Sequence, residues 1–453
     1  RFKIKRISYM RIRNWSLGYL FGYIFTTIGI HSFYRKYKVV GKENIPKGKP
    51  ILFAGNHQNA FLEGAILGYV TRSPIYFLVR SDIFKKKAAN FILTSLNALP
   101  IYRERDGPDY RDKNEALFEY FYDLLSKNRR IVIFPEGNHG KHQQLRTLKK
   151  GIFRIGVGAE SKYNNELDIQ VVAVGINYGK FENMGGDLLV QFGKPIAIKD
   201  YIADNSVKQE ENYIELVDEL RKRMSDQMID IQKMDYYDLI HYTMKTFDSE
   251  IGLLEENEQN DLVSEFQRQK GYIEKAESYI EKDIGKANVV LKVALEFKEG
   301  IKKEELSSWL FNKENHSVFG HAFLLILLFP LHLYGVLNSY LPYRIPAWFV
   351  EKKVEDIHFH ASIKLLAGSI LFVIFWGIQI SLVAIFTDNY YWAIYLGSLI
   401  ISVWISYKYW ISFLKLKGKI RYNKLKKEKG DTFKKLKIQY EELKTFVHKS
   451  YQK

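Results

Sequence analysis

Ile51-Leu-Phe-Ala-Gly-Asn-His-Gln-Asn-Ala-Phe-Leu-Glu63 decides the reading of this chain. Its opening apolar run has strand length and stops at Gly55-Asn56-His57. A second apolar pattern with helical spacing (Ala60, Phe61, Ala65, Ile66, Leu67) begins at once. His57 therefore sits at a strand-to-helix switch, where open α/β sheets keep reactive groups. Glu63 follows within two turns and can fold back toward the imidazole. A carboxylate there fixes the ring tautomer, stabilises the imidazolium and leaves the other nitrogen free as a base. Taken alone, the same letters also describe a helix-capping Asn56 followed by a surface histidine.

Working outward, residues 38–200 alternate strand-like and helix-like patterns. Strands are expected at 51–54, 75–79, 131–134, 169–174 and 188–192, with helices between most of them, for example 113–125 and 147–159. Such alternation predicts an α/β domain with a mixed, largely parallel sheet. Ile131-Val-Ile-Phe-Pro135-Glu136-Gly137-Asn138-His139-Gly140 repeats the opening theme, a strand ending in a polar, glycine-containing turn.

The flanks differ in kind. Lys and Arg outnumber Asp and Glu by 68 to 51, a formal charge of +17, while 47% of residues are hydrophobic and 15% aromatic. Such a balance fits nucleic acid or an anionic membrane. The basic residues border long apolar segments, as in Arg1-Phe-Lys-Ile-Lys-Arg6 and residues 415–429, which is membrane placement. No zinc-finger spacing or RNA-binding aromatic signature accompanies them, so nucleic acid is not the expected partner. The chain has no cysteine, which excludes disulfides, thiolate metal sites and a cysteine nucleophile. The apolar stretch at 15–33 lacks a small-residue cleavage pattern and reads as a retained helix.

These signals divide the chain into five parts. Residues 1–37 are a basic arm and an interfacial membrane helix rich in aromatics. Residues 38–203 are the α/β domain, and 204–312 a charged helical segment with expected helices at 210–231 and 262–298. Residues 313–414 are a membrane region. In it, 363–387 and 391–414 are long enough to span, and 318–341, broken by Pro330, is re-entrant or interfacial. Two crossings keep the basic tail, 415–453, on the side of the α/β domain.

The blocks around Asn56-His57 and Phe134-Pro135-Glu136-Gly137 resemble the glycerolipid acyltransferase family, which includes glycerol-3-phosphate, dihydroxyacetone-phosphate and lysophosphatidate acyltransferases. Separate blocks follow the family's order across residues 38–200. The family places an aspartate after a four-residue spacer, whereas here the spacer has five residues and ends at Glu63. That spacer looks like the branch containing eukaryotic glycerol-3-phosphate/dihydroxyacetone-phosphate enzymes. Leu99-Pro-Ile-Tyr-Arg103 is similar to the phosphate-contacting arginine block, a role suited to the planar guanidinium fork. Asn138 stands where the family has Thr or Ser, and Ala173 where it often has Pro. Lys149-Lys-Gly-Ile-Phe-Arg154 resembles the basic helix start after the Glu-Gly turn.

The resemblance implies His57 as general base, held by Glu63, for acyl transfer from a thioester to a glycerol-3-phosphate-type hydroxyl. It assigns the acceptor phosphate to Arg103, helped by Arg80, Lys149 or Arg154, and the acceptor turn to Glu136, Gly137 and Asn138. It implies no cofactor, acyl-CoA or acyl-acyl carrier protein as co-substrate, and an integral membrane protein with its site on the cytoplasmic side of a bacterial inner membrane. Lysophosphatidate is the alternative acceptor. Two other classes compete: a metal-dependent hydrolase using His57, Glu63, Glu136, His139 and His142, and a non-enzymatic membrane scaffold.

Overall fold

The computed structural model describes residues 15–179, 184–202, 206–387 and 390–452. The basic arm Arg1 to Arg6 and residues 388–389 of the loop between the two expected spans lie outside these.

The first unit comprises residues up to Asp230 together with Val350–Ser369. Its frame is a seven-stranded sheet: β1 (Tyr34–Val40), β2 (Ile51–Gly55), β3 (Ile75–Arg80), β4 (Ala98–Ile101), β5 (Arg130–Ile133), β6 (Gln170–Tyr178) and β7 (Gly186–Ala197). The spatial order is β1-β7-β6-β2-β5-β3-β4, parallel throughout except for the β6–β7 hairpin. The mixed, largely parallel sheet expected from the alternation is present.

β2 and β5 are buried centre strands, which is why they read as unbroken apolar runs. Alternate residues go to opposite faces. Leu52, Ala54, Ile131 and Ile133 join a core with α4 (Tyr110–Ser126) and α5 (Gly151–Lys162). Ile51, Phe53 and Val132 join another with α1 (Leu17–Phe33), α2 (Ala60–Thr71) and α3 (Lys87–Ser95). Each large aliphatic side chain so buried contributes about 1.5–3 kcal/mol. β2 lies between β5 and β6, so His57 leaves the middle of the sheet.

Two strands escaped the sequence pattern. β1 and β4 are the edges. β1 carries Arg35, Lys36 and Lys38, and β4 contains Pro100; both features are permitted where one side of the ladder is open. α5 begins at Gly151 rather than at Thr147. The N–H groups before it are engaged elsewhere: Leu145 donates to Asp230 Oδ1 at 2.8 Å and Lys149 to Pro135 O at 2.9 Å.

The second unit comprises Ile231–Phe349 and Ile370–Lys453 and is helical. α6 (Ser206–Gln227) precedes it, and α7 (Tyr237–Thr246), α8 (Asp248–Leu254), α9 (Leu262–Lys282) and α10 (Ile284–Lys303) follow in order. The single helix expected over 262–298 is two helices, divided at Asp283. That residue leaves helical geometry and caps the second helix by accepting from Lys286 N–H at 3.0 Å.

Among the described residues, three helices are long and apolar enough to cross a membrane: α11 (Phe319–Lys353), α12 (His360–Phe386) and α13 (Tyr391–Glu428), the second counted from Ile357 when its preceding turn is included. They indicate membrane association. α14 (Gly430–Ser450) follows. The break expected at Pro330 does not occur: α11 runs through Pro330, Pro342 and Pro346. A proline removes one intrahelical donor, and neighbouring helices can replace it. Gln379 Nε2 does so for the Asn338 carbonyl, four residues before Pro342, at 3.0 Å.

Candidate active site

The two strand-end turns meet. Asn56 pins the end of β2 to β6 like a piece of backbone: its Nδ2 donates to Ile176 O at 3.0 Å and its Oδ1 accepts from Ile176 N–H at 2.7 Å. It is not the helix cap. Gly140 N–H donates to His57 O at 3.0 Å, tying the turn after β5 to the turn after β2.

Glu63 folds back as the spacing allows. Its Oε1 accepts the N–H groups of Gln58 at 2.6 Å and Asn59 at 2.7 Å, the two residues that lead into α2. Its Oε2 lies 2.5 Å from His57 Nδ1. Within the spacer Ala60 has a φ of +40°, a left-handed conformation that carries strain in a non-glycine residue. The Glu63 side chain is wholly buried and that of His57 is 14% exposed.

Burial governs the electrostatics here. It is the main cause that pushes His57 down to about 3, with the neighbouring Arg146 and His358 adding to it. Burial likewise pushes the Glu63 carboxyl up, against the two N–H donors on Oε1. Those donors cannot accept a proton, so the proton of the pair lies between Oε2 and Nδ1. They favour the carboxylate with Nδ1–H, the tautomer that leaves Nε2 basic. Behind Glu63, burial and then the carboxylate's charge push the Tyr34 and Tyr178 phenols up.

Glu136 faces inward rather than toward an open pocket, with its residue 7% exposed. Oε1 accepts His57 N–H at 3.1 Å, and Oε2 accepts Arg146 Nε–H at 2.6 Å. Arg146 also donates to His139 O at 3.0 Å and to Asn138 O. The Glu-Gly turn is thus built around an ion pair. Gly137 (φ +75°) supports it, because an added Cβ would lie 3.0 Å from Lys149 Nζ.

The expected phosphate group divides. Arg103, following β4, donates to Gly137 O at 3.2 Å, so Arg103, Gly137 and Lys149 come together. Arg80 is paired with Asp82, its Nε 3.1 Å from Oδ1. Arg154 is exposed on α5, where its charge acts on Glu210 and Tyr213. For the hydrolase reading, no three His, Asp or Glu groups among the described residues are placed to hold a metal ion.

Two functional candidates were hidden from the sequence. Arg146 is one of several cations between Lys141 and Lys150, and only its contact with Glu136 distinguishes it. His358 belongs to the short turn before α12 and enters through His139, whose ring centroid is 5.2 Å from it and 4.0 Å from that of His57.

With this geometry in place, known proteins bear on it. A sequence profile described as acyltransferase matches residues 36–177, which contain β1 through most of β6 and both turns. Over those residues the α/β domain is similar to acyltransferases. The chain is similar to the 1-acyl-sn-glycerol-3-phosphate acyltransferase of Borreliella burgdorferi, 25% identical over 119 residues. That alignment covers 26% of this chain and 45% of the relative. It is also similar to glycerol-3-phosphate O-acyltransferase 1 of Saccharomyces cerevisiae, 27% identical over 128 residues, covering 28% of this chain and 16% of the relative. The chain thus spans less than half the length of either. The crystal structure of a 1-acyl-sn-glycerophosphate acyltransferase from Thermotoga maritima aligns with 45% of this chain and 80% of its own. The TM-score is 0.32 and the identity 19%, a level at which the alignment carries no argument. The two relatives are named for different acceptors, 1-acyl-sn-glycerol-3-phosphate and glycerol-3-phosphate.

Proposed function

We propose that this protein transfers a fatty acyl group from an acyl thioester to a hydroxyl of a glycerol-3-phosphate-type acceptor, with His57 as general base. The observation that carries this reading is the buried His57 Nδ1–Glu63 Oε2 contact at 2.5 Å, at the end of a central strand. Nδ1–H donates to Glu63, and Nε2 takes the acceptor's hydroxyl proton as oxygen attacks the thioester carbonyl. The C–O bond forms, the C–S bond breaks, and the proton leaves with the thiolate. Held neutral by burial, the ring is ready at pH 7. Arg103 and Lys149, gathered at Gly137, supply cations for the acceptor phosphate. Arg80 is paired with Asp82, and Arg154 stands exposed on α5, so neither is part of the Arg103–Gly137–Lys149 group. Glu136, Gly137 and Asn138 form the scaffold of the acceptor turn.

The donor is acyl-CoA or acyl-acyl carrier protein, and the site faces the cytoplasm, where such thioesters are made; a bacterial inner membrane fits the chain's charge pattern. The interfacial stretch 1–37, the spans 363–387 and 391–414 and the basic tail 415–453 would hold it at the bilayer surface. Lysophosphatidate is a second acceptor reading, favoured by one observation. His358 and Phe359 pack on His139 immediately before the apolar α12, so a lipid acceptor could offer its hydroxyl while its chain remains in the bilayer.

Membranes carrying the protein, given labelled glycerol-3-phosphate and lysophosphatidate in parallel with each thioester donor, test the proposal. Acylation of glycerol-3-phosphate supports the first reading and acylation of lysophosphatidate the second. Transfer to neither overturns both.

A further inference from the structure

A second acid–imidazole pair stands at the centre, outside the sequence motifs. His358 Nδ1 lies 2.7 Å from Asp356 Oδ1, and the same oxygen accepts His358 N–H at 3.1 Å. This repeats the His57–Glu63 arrangement on a segment remote in the chain. The ring of His139 lies between the pairs, with its centroid 4.0 Å from that of His57 and 5.2 Å from that of His358. Phe134 covers the other face of His57, 4.1 Å away and within 6° of parallel. The carrying segment is anchored locally. Phe359 meets Phe61 edge-on at 5.4 Å, and Ser362 Oγ approaches Asn59 O at 3.5 Å.

We propose that Asp356 and His358 are positioning residues of the acyl-transfer centre, which hold His139 against His57 and so keep the base oriented and dry. This rests on the acyltransferase reading of His57. One hydrogen bond at Nδ1 fixes where that nitrogen sits but leaves the ring free to tilt about it. Contact on both faces removes the tilt, and a small misplacement of a base is costly in rate. Phe134 supplies one face and His139 the other. The Nδ1 atom of His139 is buried without a hydrogen-bond partner, so ring packing from His358 and Phe359 is what holds it. Asp356 in turn fixes the His358 ring.

The groups facing His57 come from every neighbouring element. Glu63 comes from α2, with Tyr34 and Tyr178 behind it; Glu136 and His139 from the turn after β5; Arg146 from the segment before α5; Asp356 and His358 from the segment before α12. With His358 removed, water reaches the ring and its basicity rises toward that of an ordinary histidine.

The test compares wild type, H358A, H358F and D356N in membranes by kcat, acceptor KM and the pH profile of kcat/KM. Diethyl pyrocarbonate labelling of His57, read by peptide mass, runs alongside and needs no substrate. H358A is expected to lower kcat about tenfold, with acceptor KM little changed. It is also expected to move the acid limb up by about one pH unit and to label His57 several-fold faster than wild type does. H358F, which keeps a ring on His139, restores most of the lost rate, and D356N falls between them. Wild-type kcat and labelling in H358A overturn the proposal, as does a change confined to acceptor KM. If H358A does not reach the membrane folded, D356N decides: a wild-type pH profile and labelling rate overturn it. Faster labelling in a protein that acylates neither acceptor supports the positioning role and refutes the acyltransferase reading separately.

Discussion

Two polar networks of this chain are built on opposite principles. Around His57 the groups are ionisable. Glu63, Glu136 and Arg146 are packed with three imidazoles, burial pushes the His57 and His139 rings down to about 3, and Ala60 carries a left-handed φ. Among α11, α12 and α13 the groups are neutral. Asn338 Nδ2 donates to Tyr334 O at 2.8 Å, and the Tyr395 hydroxyl lies 2.7 Å from Asn338 Oδ1 and 3.1 Å from Gln379 Oε1. Trp376 Nε1–H donates to Ser339 Oγ at 3.2 Å, and Tyr334 pairs with Ser398 at 2.7 Å. The first network keeps groups whose charge can change. The second satisfies helix backbone and side chains in an apolar setting, which is how polar residues join membrane helices. Burial of polar groups therefore does not identify a site; coupled titration and strain do.

The largest effect is expected at the base. His57→Ala should lower acyl transfer by about 10³-fold or more while the protein still reaches the membrane, as checked by turnover per folded protein. Glu63→Gln keeps an acceptor for Nδ1 but removes the charge, and should lower kcat by about 10²-fold. Arg146→Met tests whether the Glu-Gly turn depends on its ion pair. It leaves the buried Glu136 without its cation and should cost about 2–4 kcal/mol by denaturant or thermal unfolding, discounted because Arg146 is 29% exposed. A stability unchanged by this substitution would make the two networks alike.

The pH profile sharpens the same contrast. The base works unprotonated, so activity falls as pH drops through its pKa. With His57 pushed down to about 3, the acid limb of kcat/KM should lie well below the ordinary histidine value of about 6.5. A limb at 6.5 would mean that the ring is wet. The smallest effect belongs to the neutral layer. Asn338→Leu should cost about 0.5–1.5 kcal/mol of helix association, with kcat unchanged.

The sequence made the centre of the sheet legible because β2 and β5 are buried on both faces and end in glycine-containing turns. Edge strands β1 and β4 follow other rules, set by open ladders, and their charges and proline masked them. His57 and Glu63 were readable because their separation is local. Glu136 was visible as a residue but not as an ion-pair partner, since Arg146 is chosen from a run of cations by tertiary contact alone. His358 had no local signal at all. Its neighbour in space is His139, and only the fold brings them together. Pro330 misled because a proline in a long apolar helix need not end it: α11 continues through Pro330, Pro342 and Pro346.

In acyl transfer His57 and Glu63 are expected to act as one unit. The most direct measurement is a double-mutant cycle on acyl transfer with His57→Ala, Glu63→Gln and both together. If the carboxylate acts only through the imidazole, the double variant is no slower than His57→Ala alone. Losses that multiply, or a His57→Ala variant with wild-type activity, would contradict it.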